Sequence, residues 1–338
     1  MLSWWGNDTS IYFPNLGIRL PNVPRGVAVF GFDIAFYGVC IALGMLLGIE
    51  MARWQAKRSG QNPDDYLDLA LWAIPLSVVG ARIYSVAFEW KDYKDNLKEI
   101  FNLRNGGLAI YGGVIAAIII VFVFCRIKKM NPGVMADTGI LGMLVGQCIG
   151  RWGNFFNREC FGNYTNSLLA MQIQVNDNCL SSYFKPDVVS DARLADIYAG
   201  KDKALAAISE IRNNLVLSVD GIKCVQVQPT FLYESLWNLC LLIILIIVWN
   251  RKKFNGEIIL WYLFGYGLGR VWIEGLRTDQ LFLWNTGIAV SQLLSAILVV
   301  GSLGLILFLR YRAKKNGTKP LFCDYGKNAA PSQVSEKE

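Results

Sequence analysis

The stretch LAIYGGVIAAIIIVFVFC, residues 108–125, contains no charged side chain, and neither does WNTGIAVSQLLSAILVVGSLGLILFL, residues 284–309. Each matches or exceeds the roughly 18 consecutive apolar residues that identify a membrane-spanning helix. The composition agrees, because only 17% of the 338 residues are charged, whereas soluble globular domains have about 25%. The two stretches therefore predict an integral membrane protein.

Outward from these stretches, hydropathy predicts seven transmembrane helices. They lie near residues 29–50, 67–89, 108–126, 135–155, 231–249, 257–275 and 287–310. The fourth contains Asp137 and Arg151, yet its glycines at 142, 146 and 150 recur every fourth position, a spacing that suits close helix packing in lipid. The start of the chain lacks the basic and apolar segments of a cleavable signal peptide, so we expect the first helix to remain.

Basic residues predict the orientation, because they fall in every second connection. These residues are Arg53, Lys57 and Arg58; Arg126, Lys128 and Lys129; Arg251, Lys252 and Lys253; and Arg310, Arg312, Lys314 and Lys315. By the positive-inside rule these connections are cytoplasmic. The N-terminus is therefore expected outside and the C-terminus inside. The formal net charge of +7 follows from this topology, and no nucleic-acid partner is expected.

The predicted fold class is an all-α polytopic membrane protein with a small extracytoplasmic head domain. The segment 156–228 is too long for a bare connection, and its stretch 191–214 carries apolar residues on a helical period. The expected organisation is an extracytoplasmic N-terminal arm at 1–28, transmembrane helices 1–4 at 29–155, the head domain at 156–228, transmembrane helices 5–7 at 229–312 and a cytoplasmic disordered tail at 313–338.

Polar residues gather at the outer ends of the predicted helices. On insertion scales a charge in the bilayer centre is unfavourable by about 2.5–3.5 kcal/mol, so a cluster at one depth indicates a site. Gln147, Arg151 and Asn154 are spaced i, i+4 and i+7 and so line one helix face. The triplet Arg270, Glu274 and Arg277 has the same spacing. The other members are Tyr37, Arg82, Tyr111, Tyr233 and Glu234.

Taken singly, these residues have simpler explanations. An arginine at a helix end more often snorkels to lipid phosphates, Glu274 can merely neutralise Arg270 one turn away, and the tyrosines can belong to an aromatic belt. Their coincidence at one depth favours a site. Two arginines in a lipid-accessible site suit a phosphate group, and a phospholipid headgroup is the nearest phosphate.

Residues 146–157, GQCIGRWGNFFN, resemble the G-Q-x-x-G-R-x-G-N-F-x-N signature of the prolipoprotein diacylglyceryl transferase family. Further matching segments occur in the family's order at 36–38, 106–113, 228–234 and 269–279, so the resemblance covers about residues 30–310. It implies an enzyme of the bacterial cytoplasmic membrane. Such an enzyme transfers an sn-1,2-diacylglyceryl group from phosphatidylglycerol to the lipobox cysteine thiol of a prolipoprotein, forming a thioether and releasing glycerol 1-phosphate.

The resemblance also assigns residues. Arg151 and Arg270 correspond to the family's essential arginines, and Asn154, Gly162 and Tyr37 match positions important there. The expected catalytic residues are Arg151, Arg270, Tyr111 and Glu274. The expected lipid- and substrate-binding residues are Tyr37, Gln147, Asn154, Asn157, Gly162, Tyr233, Glu234, Arg277 and Arg82. No metal or other cofactor is expected.

The chain departs from the family in having no histidine at all. Many members have histidine where this chain has Tyr111 and Gln228, and some where it has Ala35. A histidine base is therefore not available. The substrate thiol would lose its proton either in the positive field near Arg270, which lowers a thiol pKa, or to Tyr111 acting through water.

Two other classes of protein share these features. A transporter of anionic solutes would need polar residues at the membrane midplane and on both sides, whereas here they lie toward one face. A non-catalytic lipid-binding protein would bind phosphatidylglycerol without releasing glycerol 1-phosphate. The sequence leaves open the oligomeric state and whether Cys160, Cys179 or Cys224 forms a disulfide.

Overall fold

The computed structural model describes residues 8–94, 96–102, 106–175, 201–217, 221–278 and 289–317. The chain divides into two compact units. Unit 1 comprises residues 1–47, 144–245 and 260–308, and unit 2 comprises residues 48–143, 246–259 and 309–338. Predictions for residues 191–200, for the tail beyond 317 and for Cys179 lie outside the described residues.

Long helices occupy every region predicted to span the membrane. In chain order the described helices are α1 Phe36–Arg58, α2 Asp64–Phe88, the short α3 Trp90–Tyr93, α4 Ile110–Ile127, α5 Pro132–Asn157, α6 Lys201–Asn213, α7 Thr230–Val248, α8 Glu257–Leu276 and α9 Val290–Asn316. Among the described residues, six helices are long and apolar enough to cross a membrane: α1, α2, α4, α5, α7 and α9. The chain is thus a multi-pass membrane protein. The remaining long helix, α8, is made more polar by Glu257, Arg270 and Glu274.

The protein is mostly helical, but the expectation that it is all-α is wrong, because unit 1 also contains β-structure. The described strands are β1 Asp8–Phe13, β2 Ile18–Pro24, β3 Gly26–Val29, β4 Phe32–Ala35, β5 Met171–Gln174, β6 Val216–Leu217 and β7 Lys223–Val227. Five of them form a sheet in the order β2-β1-β5-β7-β6, and β3 and β4 form a hairpin. The hairpin also explains why the first helix begins at Phe36, later than predicted.

The five-stranded sheet forms the core of unit 1. Its pairs are antiparallel, and Ile11 on β1 lies opposite Ile173 on β5. Buried apolar side chains of the sheet pack with Phe155 at the end of α5 and Phe231 at the start of α7. The described part of the predicted amphipathic stretch is helical, as α6. Its Ile211 joins the same core. The sheet therefore holds the ends of two helices that carry predicted site residues.

Glycines let the helices of unit 2 approach closely. A Cβ on Gly48 of α1 would lie 2.6 Å from the carbonyl oxygen of Gly142 on α5, and α2 packs on α4 where Gly80 contacts Ala116. Small residues allow such backbone approach in lipid. The predicted packing role is confirmed for Gly142, and within unit 1 Gly146 lies against Gly44.

A buried ion pair fixes the start of α8 in unit 2. The carboxylate of Asp137, fully buried, accepts a hydrogen bond from Lys252 Nζ at 3.1 Å. It also accepts from the backbone N–H groups of Gly256 at 2.9 Å, Ile258 at 2.9 Å and Ile259 at 3.1 Å. These are N–H groups that the first turn of a helix leaves unpaired. Asp137 on α5 therefore acts as a cap for α8.

Candidate active site

Two arginines from different helices meet on one buried carboxylate in unit 1. Arg151 Nε on α5 lies 2.5 Å from Glu234 Oε2 on α7, and Arg270 Nη1 on α8 lies 2.7 Å from Glu234 Oε1. The Glu234 side chain is only 5% exposed. One carboxylate therefore holds two guanidinium groups side by side, each on its own oxygen.

The same network continues along α8. Arg270 Nη2 lies 2.6 Å from Glu274 Oε2, and Arg277 Nη1 lies 3.8 Å from that oxygen. We call Arg151, Arg270, Arg277, Glu234 and Glu274 the ion-pair cluster. The structure therefore brings together five of the residues predicted from sequence.

Arg151 is the most accessible arginine of the ion-pair cluster. Its side chain is 24% exposed, compared with 16% for Arg270 and 12% for Arg277. Among the described residues it pairs with a carboxylate through Nε alone, and its Nη1 lies 3.5 Å from Asn154 Oδ1. Because an arginine has five N–H donors, Arg151 keeps donors directed away from Glu234. A phosphate oxygen can bind there without breaking the ion pair.

A tight reversal of the chain after α5 brings Glu159 and Cys160 to the site, and the sequence analysis predicted neither as a site residue. Arg158 and Cys160 have φ of 56° and 58°, the left-handed region that non-glycine residues seldom adopt. The chain folds back, and Glu159 Oε1 accepts hydrogen bonds from Asn154 Nδ2 at 3.0 Å and Asn157 Nδ2 at 3.2 Å. Two of the predicted binding residues are therefore oriented by a carboxylate just beyond the recognised motif.

The thiol of Cys160 lies at the edge of the ion-pair cluster. Its Sγ is 3.1 Å from Arg277 Nη2 and 3.6 Å from Asn154 Nδ2. Within the described residues, neither Cys160 nor Cys224 forms a disulfide. The site therefore accommodates a sulfur atom beside an arginine.

A stripe of polar residues runs along α8 toward the ion-pair cluster. Tyr262 and Tyr266 precede Arg270 at four-residue intervals, and their rings stack with centroids 5.4 Å apart. The Tyr262 hydroxyl accepts a hydrogen bond from Gln147 Nε2 at 2.9 Å. Residues four apart share a helix face, so this spacing was a usable signal for Tyr262. The polar faces of α5 and α8 thus meet.

Two glycines make room for site residues. A Cβ on Gly162 would lie 2.9 Å from the carbonyl oxygen of Leu276, and Gly162 forms a β-bridge with Arg277. A Cβ on Gly153 would lie 2.7 Å from the ring of Tyr37. Gly162 therefore sets the backbone position of Arg277, and Gly153 seats Tyr37, the second residue of α1, against α5.

Aromatic residues border the site on α7 and α8. The rings of Tyr233 and Trp272 stack with centroids 6.2 Å apart. Trp237 packs edge-on against Trp272 at 6.0 Å, and its Nε1 donates to the carbonyl oxygen of Gly265 at 2.9 Å. Gly269 contacts the same indole. The glycines that precede Arg270 therefore let α7 and α8 lie close together.

The remaining predicted site residues, Arg82 and Tyr111, belong to unit 2. Arg82 is 6% exposed, and its guanidinium donates to the Tyr93 hydroxyl at 3.1 Å and to the carbonyl oxygens of Gly106 and Gly107 at 2.8 Å each. It also donates to the carbonyl oxygens of Glu99, Ile100 and Asn102. Tyr111, near the start of α4, is 50% exposed.

The comparisons with known proteins agree with the motif. The family model of prolipoprotein diacylglyceryl transferase matches residues 24–308. A phosphatidylglycerol–prolipoprotein diacylglyceryl transferase of Finegoldia magna is 38% identical over 84% of this chain and 94% of its own. The enzyme of the same name from Clostridioides difficile is 38% identical over 85% and 96%. That of Streptococcus equi subsp. equi is 39% identical over 83% and 93%.

Proposed function

The chain belongs to the prolipoprotein diacylglyceryl transferase family, and we propose that its ion-pair cluster is where the diacylglyceryl group of phosphatidylglycerol passes to a prolipoprotein cysteine. The observation that carries this assignment is the convergence of Arg151 and Arg270 on Glu234, at 2.5 and 2.7 Å. Two guanidinium groups held side by side suit a phosphate, which arginine binds through parallel hydrogen bonds.

The reaction moves one negative charge onto the leaving phosphate. The thiolate of the lipobox cysteine attacks C3 of the diacylglyceryl group, so a C–S bond forms while the bond from C3 to the phosphate oxygen breaks. The bonding electrons stay on that oxygen and glycerol 1-phosphate leaves. A phosphodiester with one charge becomes a phosphomonoester that gains a second, and donors fixed where that charge grows lower the barrier.

Arg151 and Arg270 have different proposed roles, because their side chains differ in accessibility. The more exposed Arg151 keeps donors directed away from Glu234 and first binds the lipid phosphate. Arg270 is held on both sides, by Glu234 and Glu274 at 2.7 and 2.6 Å, so its position does not depend on substrate. Such preorganisation matters because the charged groups need not rearrange as the bond breaks.

The other predicted residues surround this pair. We propose that Asn154 and Asn157, held by Glu159, bind the lipid headgroup and that Tyr37, Gln147 and Tyr233 line its path. Glu274 and Gly162 position Arg277. Arg82 is better suited to holding the connection between α2 and α4 than to binding phosphate, because its guanidinium nitrogens already donate to the Tyr93 hydroxyl and to five carbonyl oxygens.

The two site arginines support proton loss from the substrate thiol. A nearby positive charge favours the thiolate, and Arg151 and Arg270 supply guanidinium groups at this site. Of the two proton-loss routes considered, this one uses groups that lie together in unit 1. The tyrosine route depends on Tyr111 in unit 2 and on a hydroxyl whose unperturbed pKa is about 10.

We further propose that α8 crosses the membrane as the seventh span, with the sheet of unit 1 forming the extracytoplasmic head and the basic end of α9 in the cytoplasm of a bacterial cell. Its internal charges are compatible with lipid because Arg270 and Glu274 are paired with each other, and paired charges facing the bundle interior are the usual form of intramembrane charge. Topology reporters that do not depend on glycosylation, fused before α1 and after α9, would test the orientation.

Lipidation of a peptide by the purified protein tests the assignment. Wild type, Arg270→Ala and a control, Arg53→Ala, are incubated with phosphatidylglycerol and a lipobox peptide, and the peptide mass is measured. Removing one donor to a developing oxyanion lowers the rate about 100- to 1,000-fold. We expect this loss for Arg270→Ala only, because Arg53 pairs with Glu50 and Asp64 in unit 2.

Three outcomes would contradict the assignment. Undiminished lipidation by Arg270→Ala would remove the arginine from the mechanism. Binding of phosphatidylglycerol without release of glycerol 1-phosphate would identify a lipid-binding protein instead. Accumulation of an anionic solute in proteoliposomes, with no thioether product, would identify a transporter.

A further inference from the structure

The turn between α4 and α5 is a preformed structure in unit 2. The backbone N–H of Lys128 donates to the carbonyl oxygen of Phe124 at 2.9 Å. The backbone N–H of Met130 donates to the carbonyl oxygen of Cys125 at 2.8 Å. Lys129 has a φ of 54°. Asn131 Oδ1 accepts from the N–H of Gly133 at 2.8 Å and so caps the start of α5. Every step of the turn is therefore fixed by hydrogen bonds or by its backbone conformation.

The three cations nearest this turn are not equivalent. Lys128 Nζ lies 3.0 Å from Asp65 and 2.8 Å from Asp68, and these hydrogen bonds, first Asp68 and then Asp65, raise the pKa of Lys128. Arg126 and Lys129 have no carboxylate partner in the part of the chain that the structure describes. The charge of Lys128 is therefore neutralised locally, whereas those of Arg126 and Lys129 are not.

The two unneutralised cations line a cavity with apolar walls. Its volume is about 440 Å³, and its lining consists of Phe122, Cys125, Arg126, Lys129, Met130 and Pro132. Lys128 does not line it. A small inorganic anion would leave the apolar wall uncovered. A ligand with both a phosphate and hydrocarbon would use both kinds of surface.

The length of α4 fixes the depth of this cavity. The helix has 18 residues, which at 1.5 Å per residue span about 27 Å. The hydrocarbon core of a bilayer is about 30 Å thick, so the ends of α4 lie at its two boundaries. Arg126 and Lys129 are therefore at headgroup level, whichever way α4 is oriented, while Phe122 faces the acyl chains one turn deeper.

We propose that this cavity is a non-catalytic binding site for an anionic phospholipid. Its phosphodiester contacts Arg126 and Lys129, with the planar guanidinium binding two phosphate oxygens and the ammonium acting as a point charge. The glycerol and upper acyl carbons cover Phe122, Met130 and Pro132. Basic pockets between transmembrane helices commonly bind lipid headgroups in this way. The lipid would brace the α4–α5 turn without entering the ion-pair cluster.

Counting bound lipids on the full-length protein tests the site, and the turn supplies its own control. Wild type, the double variant Arg126→Gln/Lys129→Gln and the single variant Lys128→Gln are titrated with phosphatidylglycerol, and native mass spectrometry counts the lipids bound at saturation. We expect the double variant to bind one phosphatidylglycerol fewer than wild type and Lys128→Gln to bind as many. Lipidation of a lipobox peptide is expected to be unchanged in both.

A comparison of lipids isolates the cavity from the ion-pair cluster, which also binds phosphatidylglycerol in the proposed function. Wild type and the double variant are each titrated with phosphatidylglycerol, with zwitterionic phosphatidylcholine and with phosphatidylglycerol plus inorganic phosphate. We expect the difference of one bound lipid between the two proteins with phosphatidylglycerol, with or without inorganic phosphate, and no difference with phosphatidylcholine. Equal loss in both variants, no loss in the double variant, the same difference with both lipids, or abolition of the difference by free phosphate would each overturn the proposal.

Discussion

Replacing Glu234 with glutamine tests whether one buried carboxylate orients both site arginines. The two carboxylate oxygens lie 2.5 Å from Arg151 Nε and 2.7 Å from Arg270 Nη1. Glutamine keeps the shape and one acceptor but places an NH₂ donor against the other guanidinium. A hydrogen bond to a charged group contributes about 1.5–3 kcal/mol. Because 1.36 kcal/mol corresponds to a tenfold rate change, kcat/KM should fall about 10- to 150-fold.

Two further variants separate charge from geometry. Glu234→Asp keeps the charge but is one methylene shorter, so it cannot reach both arginines, and we expect its kcat/KM to fall nearly as far as that of Glu234→Gln. Glu274→Gln removes a carboxylate that contacts Arg270 at 2.6 Å and leaves the pair between Arg151 and Glu234 intact, so its loss should be smaller.

The assay is the initial rate of peptide lipidation at several phosphatidylglycerol contents, on protein whose folded fraction has been measured. Wild-type kcat/KM in Glu234→Asp would refute the bridging role, because a carboxylate that need not reach both arginines does not orient them jointly. A larger loss in Glu274→Gln than in Glu234→Gln would refute it equally, since it would place the critical carboxylate one turn along α8.

Three more perturbations test the packing around the site. Asp137→Asn should lower stability by about 3–5 kcal/mol, because Lys252 is then a buried charge without its partner, and the detergent melting temperature should recover partly in Asp137→Asn/Lys252→Met. Gly142→Ala should destabilise by about 1–3 kcal/mol through backbone overpacking, whereas Gly139→Ala, with nothing within 4 Å of its Cβ, should melt like wild type. Gly162→Ala should reduce kcat/KM, measured per folded enzyme, by up to about 100-fold by displacing a site arginine; unchanged kinetics would disprove that positioning role.

The long helices could be predicted because apolar length alone encodes them. The apolar stretch at 108–126 became α4 at Ile110–Ile127, and the last predicted helix, 287–310, became α9 at Val290–Asn316. The shared helix face of each polar triplet could also be predicted, since side chains four residues apart lie on the same face of a helix. What the spacing could not give was the partner across the helix interface. Gln147 contacts Tyr262, 115 residues later in the chain.

The sheet could not be predicted because its pairing is non-local. β1 lies beside β5, so that Ile11 is opposite Ile173, and no pattern within either segment specifies the other. The same limit applied to Glu159, which reaches Asn154 only because the backbone reverses at Arg158 and Cys160 with positive φ. Arginine and cysteine are not among the residues enriched in that conformation, so the sequence carries no signal of it.

The helix that carries the site is also the one that hydropathy describes worst. Of the seven long helices, α8 is the one that does not qualify as a span among the described residues, and its charges include Arg270 and Glu274. In the proposed topology, in which α8 is the seventh span, these charges are compatible with lipid because Glu234, on α7, and Glu274 itself engage Arg270 at 2.7 and 2.6 Å. A hydropathy scale treats each residue singly and cannot include that pairing. In that proposed topology the low hydropathy of α8 points to the ion-pair cluster, because charged residues inside a membrane are rare and usually belong to functional sites.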